Sequence, residues 1–360
     1  MNIVLIITGL GMGGAERQVC DLAVQFAALG HQVLLISMTG ETINRPYTNL
    51  VEVVALNMVK NPLGFIQAYW QARQLIKRFN PDVVHSHMVH ANLFARLLRL
   101  SIHLPKLIST AHSSNEGGVG RMLAYRLTDS LCDLSTNVSQ EAVDIMVKRG
   151  AVTVKRIIAM HNGIDTARFV FNEQSRVRMR AELGLTNAPL LLAVGRLTEA
   201  KDYPNLLAAF SQLPEPYKDV QLAIIGVGEE QAKLNLMVSE LGLTARVHFL
   251  GLRHDVHEWM SAADLFVLSS AWEGFGLVVA EAMACERVVI ATDCGGVKEV
   301  VGDVGILVPA RNSVALAGGL VQGLALTPEA ASAQGRFARK RIVECYSLRA
   351  QTERWLGLYS

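Results

Sequence analysis

Short apolar runs alternate with longer amphipathic stretches along the chain, and that alternation constrains the fold more than any other feature. The runs NIVLIIT, HQVLLIS, VEVVAL, DVVHSH, KLISTAH, LSTNVS and RIIAMHN have the length of strands. Between several of them stand stretches such as AERQVCDLAVQFAALG and PLGFIQAYWQARQLIKRF, whose apolar residues fall three and four apart, the spacing of one helical face. Strands separated by helices predict a parallel, doubly wound sheet. From Ile164 to about Pro189 the strand character stops and an arginine-rich helix, SRVRMRAELGL, intervenes. The alternation then begins afresh with LLLAVGRL, VQLAIIGVG, VHFLG, LFVLSS, RVVIATD and GILVP. At 360 residues the chain exceeds one ordinary core, so the expectation is α/β, two Rossmann-like domains joined by one linker. Ligands of such a pair sit at the carboxyl ends of the strands, in the cleft between the domains.

Composition narrows the function classes. With 51% hydrophobic and 18% charged residues the chain is globular, and its net charge of +2 does not suggest a general nucleic-acid binder. The five cysteines, Cys20, Cys132, Cys285, Cys294 and Cys345, are scattered without C-x-x-C spacing, which argues against a disulfide framework or a zinc site and for a reducing, cytoplasmic setting. The first apolar stretch lacks a basic leader, and no uncharged stretch approaches the roughly 18 residues that span a bilayer. Any membrane contact is therefore expected to be peripheral.

The chain opens with a strand followed by Gly9, Gly11 and Gly14, spaced G-x-G-x-x-G ahead of a helix. Such a turn lets the backbone approach a pyrophosphate at a helix N-terminus. A nicotinamide-type cofactor also needs an acidic residue at the end of the next strand. That strand ends in Ser37, Met38 and Thr39, with Glu41 only beyond a glycine. The cofactor reading is thereby weakened, and the plainer alternative is that the glycines only turn a strand into a helix.

Two later segments carry more chemistry. In SSAWEGFGLVVAEAMACERVVIATDCGG a strand gives way to a loop with Glu273, then to a helix carrying Glu281. The backbone N–H groups of Phe275, Gly276 and Leu277 fall at that helix N-terminus, where dipole and hydrogen bonds favour an anion. Two carboxylates flanking such a site suit sugar hydroxyls, although Glu273 as a cap and Glu281 on a solvated face is the plainer alternative. In AVGRLTEAKDYPNLLAAF, Arg196 follows a strand and Lys201 precedes a helix, so two cations face the same strand end.

Together Glu273 and Glu281 of EGFGLVVAEAMA (E-x7-E), Arg196 and Lys201 of GRLTEAKD, Asn162 and Asp165 of HNGID, Gly13, Gly14 and Glu16 of GGAE, and the stretch TDCGGVKEVV resemble, in order and over essentially the whole chain, the retaining glycosyltransferases of family 4, which have the GT-B fold. The resemblance implies an acceptor-binding domain over residues 1–165 and a nucleotide-sugar domain over 166–342. It also implies a terminal helix, 343–360, that packs back on the first domain, with Trp355, Leu358 and Tyr359 at the spacing of a docking face. Glu281 would hold the ribose, Glu273 the donor sugar, and Arg196, Lys201 and the amides of Phe275, Gly276 and Leu277 the diphosphate. Gly14 would approach that diphosphate from the first domain, and Gly13, Glu16 and Asn162 would lie on the acceptor side. Leu252, Arg253 and Val256 would border the base. His112, in STAHSS, matches the family's active-site histidine.

The implied reaction is retaining transfer of a hexosyl unit from a nucleoside diphosphate sugar, UDP being the expected nucleotide, by a front-face route in which the departing diphosphate takes the acceptor proton. A lipid-linked glycan of surface-polysaccharide or glycolipid synthesis is the expected acceptor. No cofactor and no metal are expected: the chain has no D-x-D pattern, and Arg196, Lys201 and the helix dipole would carry the leaving-group charge. The run HSHMVHAN puts His85 and His87 on one face of a strand, which invites a metal, but no acidic ligand stands nearby. YWQARQLIKRF and GRMLAYRL intersperse Arg73, Lys77, Arg78, Arg121 and Arg126 with Trp70, Met122, Leu123 and Tyr125, a pattern that suits an anionic membrane surface. The alternatives are a GT-B enzyme that binds the same donor without transfer, such as a UDP-sugar 2-epimerase, and an idle homologue serving as a scaffold in polysaccharide assembly.

Overall fold

Every one of the thirteen apolar runs forms a strand in the computed structural model, which describes residues 1–113 and 117–360. They are β1 (Asn2–Ile7), β2 (Gln32–Ser37), β3 (Val51–Ala55), β4 (Val83–His87), β5 (Leu107–Ala111), β6 (Leu134–Asn137) and β7 (Ile157–Ala159), then β8 (Leu190–Val194), β9 (Gln221–Ile225), β10 (Val247–Gly251), β11 (Leu265–Leu268), β12 (Val288–Asp293) and β13 (Ile306–Pro309). The chain divides into two units, Met1–Gly163 with Leu348–Ser360, and Ile164–Ser347.

The first unit holds a sheet in the order β3-β2-β1-β4-β5-β6-β7 and the second one in the order β10-β9-β8-β11-β12-β13. All neighbours pair in parallel. In each sheet the order reverses once, between β1 and β4 and between β8 and β11. The loops leaving the carboxyl ends on the two sides of a switch point diverge, and the crevice they leave is the ligand position of doubly wound sheets.

Helices cover both faces of each sheet. Ile3, Leu5 and Ile7 of β1 pack with Val19, Leu22 and Phe26 of the helix Gly14–Ala28. Val4 and Ile6 pack on the other side with Ala68, Ala72 and Ile76 of the helix Pro62–Phe79 and Phe94 of Val89–Leu98. Strand alternation thus gives β1 two buried faces.

The end of the chain differs from the expected division. Residues 338–360 are not one helix: Pro328–Tyr346 and Leu348–Tyr359 are separated by Ser347, which is extended at φ −60°, ψ 146°. Ser347 bridges Ile164, whose N–H donates to the Tyr346 carbonyl at 2.8 Å. Tyr346 in turn donates its hydroxyl to the Glu299 carbonyl at 2.7 Å. These bonds keep residues 343–347 with the second unit, so the segment that returns to the first unit begins at Leu348 instead of 343. Ile164 and Asp165 also fall in the second unit, where Asp165 Oδ1 accepts from the N–H groups of Ala167 and Arg168 at 3.1 and 3.0 Å. Trp355 and Tyr359 are buried in the first unit's core and Leu358 packs at its edge.

Candidate functional site

In the second unit the chemistry gathers at the switch point between β8 and β11. Lys201 Nζ and Glu273 Oε1 form an ion pair across loops that follow these two strands. Ser270 Oγ donates to the same Glu273 oxygen at 2.7 Å, Thr292 Oγ1 donates to the Ser270 carbonyl at 2.7 Å, and Ser269 Oγ donates to the Lys201 carbonyl at 2.8 Å. Three hydroxyls at the ends of β11 and β12 therefore fix both partners of the pair. Below them Tyr203 donates to the Gly195 carbonyl at 3.0 Å. Burial, with the Glu273 charge second, pushes the Tyr203 phenol well up, so it remains a neutral donor. Arg196 is exposed, and its guanidinium has no hydrogen bond or ion pair among the described residues.

Past Glu273 the chain turns through Gly276, at φ 85°, ψ 48°, into the helix Leu277–Ala284. That left-handed conformation suits glycine, and among the described residues no side chain caps the helix. Phe275 is buried, its ring 5.6 Å from that of Tyr346, and anchors the loop. Glu281 is 7% exposed on the helix that begins at this turn.

The residues expected near a base lie at and beyond the end of β10. Leu252 is half exposed beyond β10, and Val256 opens the helix Val256–Ala262. Arg253 bonds both oxygens of Asp255, at 2.9 and 2.7 Å, and Glu182 at 3.0 and 3.3 Å, with its guanidinium over Trp259. Those carboxylates raise its pKa. Its guanidinium is engaged in holding the loop.

In the first unit the loop after β1 leads to Gly13, the N-cap of the helix Gly14–Ala28. The Glu16 carboxylate folds back over this turn, and a Cβ on Gly13 would collide with it; an acidic group there also complements the helix dipole. Gly14 is exposed and Asn162 is buried. His112 stands just past β5, where its Nε2 lies 3.1 Å from Nδ1 of His87, the last residue of β4.

The alternation of His85 and His87, which in the sequence invites a metal, serves a buried ring stack. His85 bonds Tyr359 Oη through Nδ1 and Thr110 Oγ1 through Nε2, both at 2.6 Å, and its ring centroid lies 3.9 Å from that of His87. Ser270 beside Glu273 had no signal beyond its place at a strand end. Among the described residues no group of three or more His, Cys, Asp and Glu side chains is placed to hold a metal.

Burial, with neighbouring imidazoles adding, holds His85 and His87 well below the ordinary histidine value, and burial brings His112 down to about 4. The unfolded chain then binds protons that the folded chain refuses. Stability is full above about pH 6.5 and falls as pH drops, by up to about 1.4 kcal/mol per pH unit for each ring until its folded value is reached. Melting temperature measured from about pH 7.5 to about pH 5 is expected to fall, and to fall less steeply in H85F. A flat profile would contradict the neutral histidine stack.

The two sheets and their strand order define an α/β protein of the GT-B type. HepE of Anabaena, solved in complex with UDP, superposes with a TM-score of 0.86 at 22% identity over 99% of each chain. Residues 12–168 match the family described as Glycosyltransferase Family 4, and residues 175–341 match Glycosyl transferases group 1. An alpha-maltose-1-phosphate synthase of Mycolicibacterium smegmatis is 30% identical over 95% of this chain and 91% of its own length. The N-acetylgalactosamine-N,N'-diacetylbacillosaminyl-diphospho-undecaprenol 4-alpha-N-acetylgalactosaminyltransferase of Campylobacter jejuni is 25% identical over 88% of each chain. The chain belongs to this glycosyltransferase family, and it is an enzyme of sugar transfer.

Proposed function

We propose that the protein transfers a hexosyl unit, with retention, from a UDP-sugar to a hydroxyl of a lipid-linked glycan at a membrane surface. The observation that carries the donor half is the Lys201–Glu273 pair at the β8/β11 switch point beside the uncapped helix at Gly276. In this reading Arg196, Lys201 and the amides of Phe275, Gly276 and Leu277 take the diphosphate, and charge there is stabilised most as the leaving group departs. Glu273 is released from Lys201 to accept from the donor sugar's hydroxyls, and Glu281 accepts from the ribose. Cations and a helix dipole supply the charge a metal would, so no metal is required. The first unit contributes His112 to orient the sugar, with Gly13, Gly14, Glu16 and Asn162 toward the acceptor. UDP in the Anabaena structure and the alpha linkages in the relatives' names support the nucleotide and the stereochemistry, since an alpha product from an alpha-linked donor is retention.

Two helices support the membrane half. Pro62–Phe79 exposes Leu63, Ile66 and Trp70, and Val119–Thr128 exposes Val119, Leu123 and Leu127. Met122 and Tyr125, expected on that face, are instead buried in the core. Lys60, Lys77, Arg78, Arg121 and Arg126 are exposed around these stripes, and the charges of Arg121 and Lys60 both help, after burial, to lower the pKa of His90. Among the described residues no single helix is long and apolar enough to cross a membrane, and an apolar face with basic flanks is the mode of attachment this reading takes. The Campylobacter relative's name, which includes diphospho-undecaprenol, fits such an acceptor.

The test is a panel of UDP-sugars offered with and without diphosphate-lipid-linked acceptors, in buffer and in EDTA, with the anomeric configuration of the product read by NMR. Acceptor-dependent alpha transfer that survives EDTA is expected. Epimerised sugar without acceptor would replace the reading with a non-transferring enzyme. Equal, negligible sedimentation with anionic and neutral liposomes would remove the membrane half.

A further inference from the structure

One oxygen of Glu273 serves two donors at once. Lys201 Nζ and Ser270 Oγ both reach Oε1, the hydroxyl at 2.7 Å. An ionised carboxylate only accepts, so the proton of the second bond belongs to Ser270. The two donors differ in what else can claim them. The Lys201 ammonium stands on a flexible four-carbon stem, and in the reading above it turns to the diphosphate. Glu273, with 13% of its side chain exposed, then loses its ion partner. A carboxylate so enclosed needs a remaining donor to hold its charge and its rotamer.

Ser270 keeps its place in that exchange. It is fully buried, and its carbonyl accepts from Thr292 Oγ1 at 2.7 Å and from Cys294 Sγ at 3.4 Å, both at the end of β12. The next residue, Ala271, donates its N–H to the Ala200 carbonyl at 2.9 Å. At the other end of the segment Gly295, at φ 56°, closes on Glu273: a Cβ there would fall 2.0 Å from the Glu273 carbonyl oxygen. The Gly296 N–H donates to the Gly274 carbonyl at 3.1 Å. The end of β12 therefore fixes both ends of residues 270–273, and none of these bonds uses the Lys201 ammonium.

We propose that Ser270 is a positioning residue, which keeps the Glu273 carboxylate ionised and aimed at the donor sugar once the diphosphate has drawn Lys201 away. This rests on the reading that Lys201 takes the diphosphate and Glu273 the sugar hydroxyls. Ser270 is then the constant donor to Glu273, and a sugar hydroxyl replaces the ammonium as the second one. The hydroxyl–carboxylate bond is charge-assisted, the kind short and directional enough to set a rotamer.

The experiment compares kcat and KM for the wild type, S270A, E273A and the S270A/E273A double variant, using the UDP-sugar turned over fastest by the wild type and its singly deoxygenated analogues. Calorimetry with UDP alone and melting curves accompany the rates. S270A is expected to fold and to lose roughly 10- to 100-fold in kcat, as misplacement of a group that orients the substrate does. Its affinity for UDP should be little changed, because water fills the sugar's place in that complex and donates to Glu273 instead. The deoxy donor that the wild type turns over most slowly, the one lacking the hydroxyl Glu273 holds, should carry a smaller penalty in S270A. The double variant should be no worse than E273A, because a residue acting through another has nothing left to position. Wild-type kcat in S270A, a UDP affinity that falls in step with kcat, an undiminished deoxy penalty, or losses that add in the double variant would overturn the proposal while leaving the site reading intact. Wild-type kcat in E273A, or a wild type indifferent to every deoxy donor, would overturn the site reading and the positioning role with it.

Discussion

Lys201→Ala is expected to lower kcat by roughly two to three orders of magnitude, the effect of losing one preorganised group that stabilises developing charge. Lys201 is held on both sides: Glu273 pairs with its ammonium, and Ser269 bonds its carbonyl. Its side chain is 20% exposed and that of Glu273 13%, and a bound diphosphate takes the place at the ammonium that Glu273 holds at rest. Removing the ammonium leaves Glu273 partly buried with Ser270 as its remaining named donor, a loss of stability on the order of 1–3 kcal/mol. Lys201→Arg keeps the charge but replaces a compact point charge with a broad planar fork, and should recover only part of the rate. Initial rates with UDP-sugar, paired with circular dichroism and melting curves, separate the catalytic loss from the modest thermal one. A folded K201A with near-normal turnover would remove the diphosphate assignment.

The largest loss of stability is expected from Trp355→Ala. Trp355 is 3% exposed among Ile3, Leu5, Phe26 and Val33, with its ring 4.4 Å from that of His85 and 6.1 Å from that of Tyr359. A large-to-small change at such a site costs about 3–5 kcal/mol, against a total near 5–15 kcal/mol for a domain. A fall of roughly 6–20 °C in the first unit's melting transition follows. Truncation after Ser347 removes Leu348, Trp355 and Tyr359 together, each worth about 1.5–3 kcal/mol of burial, and strips His85 of its Tyr359 partner. That protein should aggregate or expose apolar surface to dye. A truncated chain that melts like the full one would refute the place of this helix in the first core.

The strands were legible because a doubly wound sheet is written in local signals. An apolar run, a turn and a helical periodicity need only neighbouring residues, and all thirteen runs formed strands. The break at Ser347 was not legible, since an extended residue between two good helix formers is stabilised by a bridge to Ile164, far away in sequence. The same is true of the partners of Arg253: the resemblance put it beside the base, and only the fold brings Glu182 to it. Met122 and Tyr125 read as surface aromatics and aliphatics from spacing alone, and packing against the helix Val89–Leu98 and its neighbours buried them.

The site divides along the same line. Local signals place Arg196 and Lys201 after β8, Glu273 after β11, Glu281 on the following helix and His112 after β5, because strand ends are marked by composition and glycine. Which of these residues meet is set by the folded chain. Lys201 and Glu273 are 72 residues apart and share a hydrogen bond because parallel pairing sets β8 beside β11. His85 and Tyr359 are 274 apart and meet because the chain's last helix returns to the first sheet. Charge, polarity and periodicity are properties of a residue and its neighbours, whereas partners, burial and the resulting proton positions depend on contacts that exist only after strands from distant parts of the chain have been placed side by side.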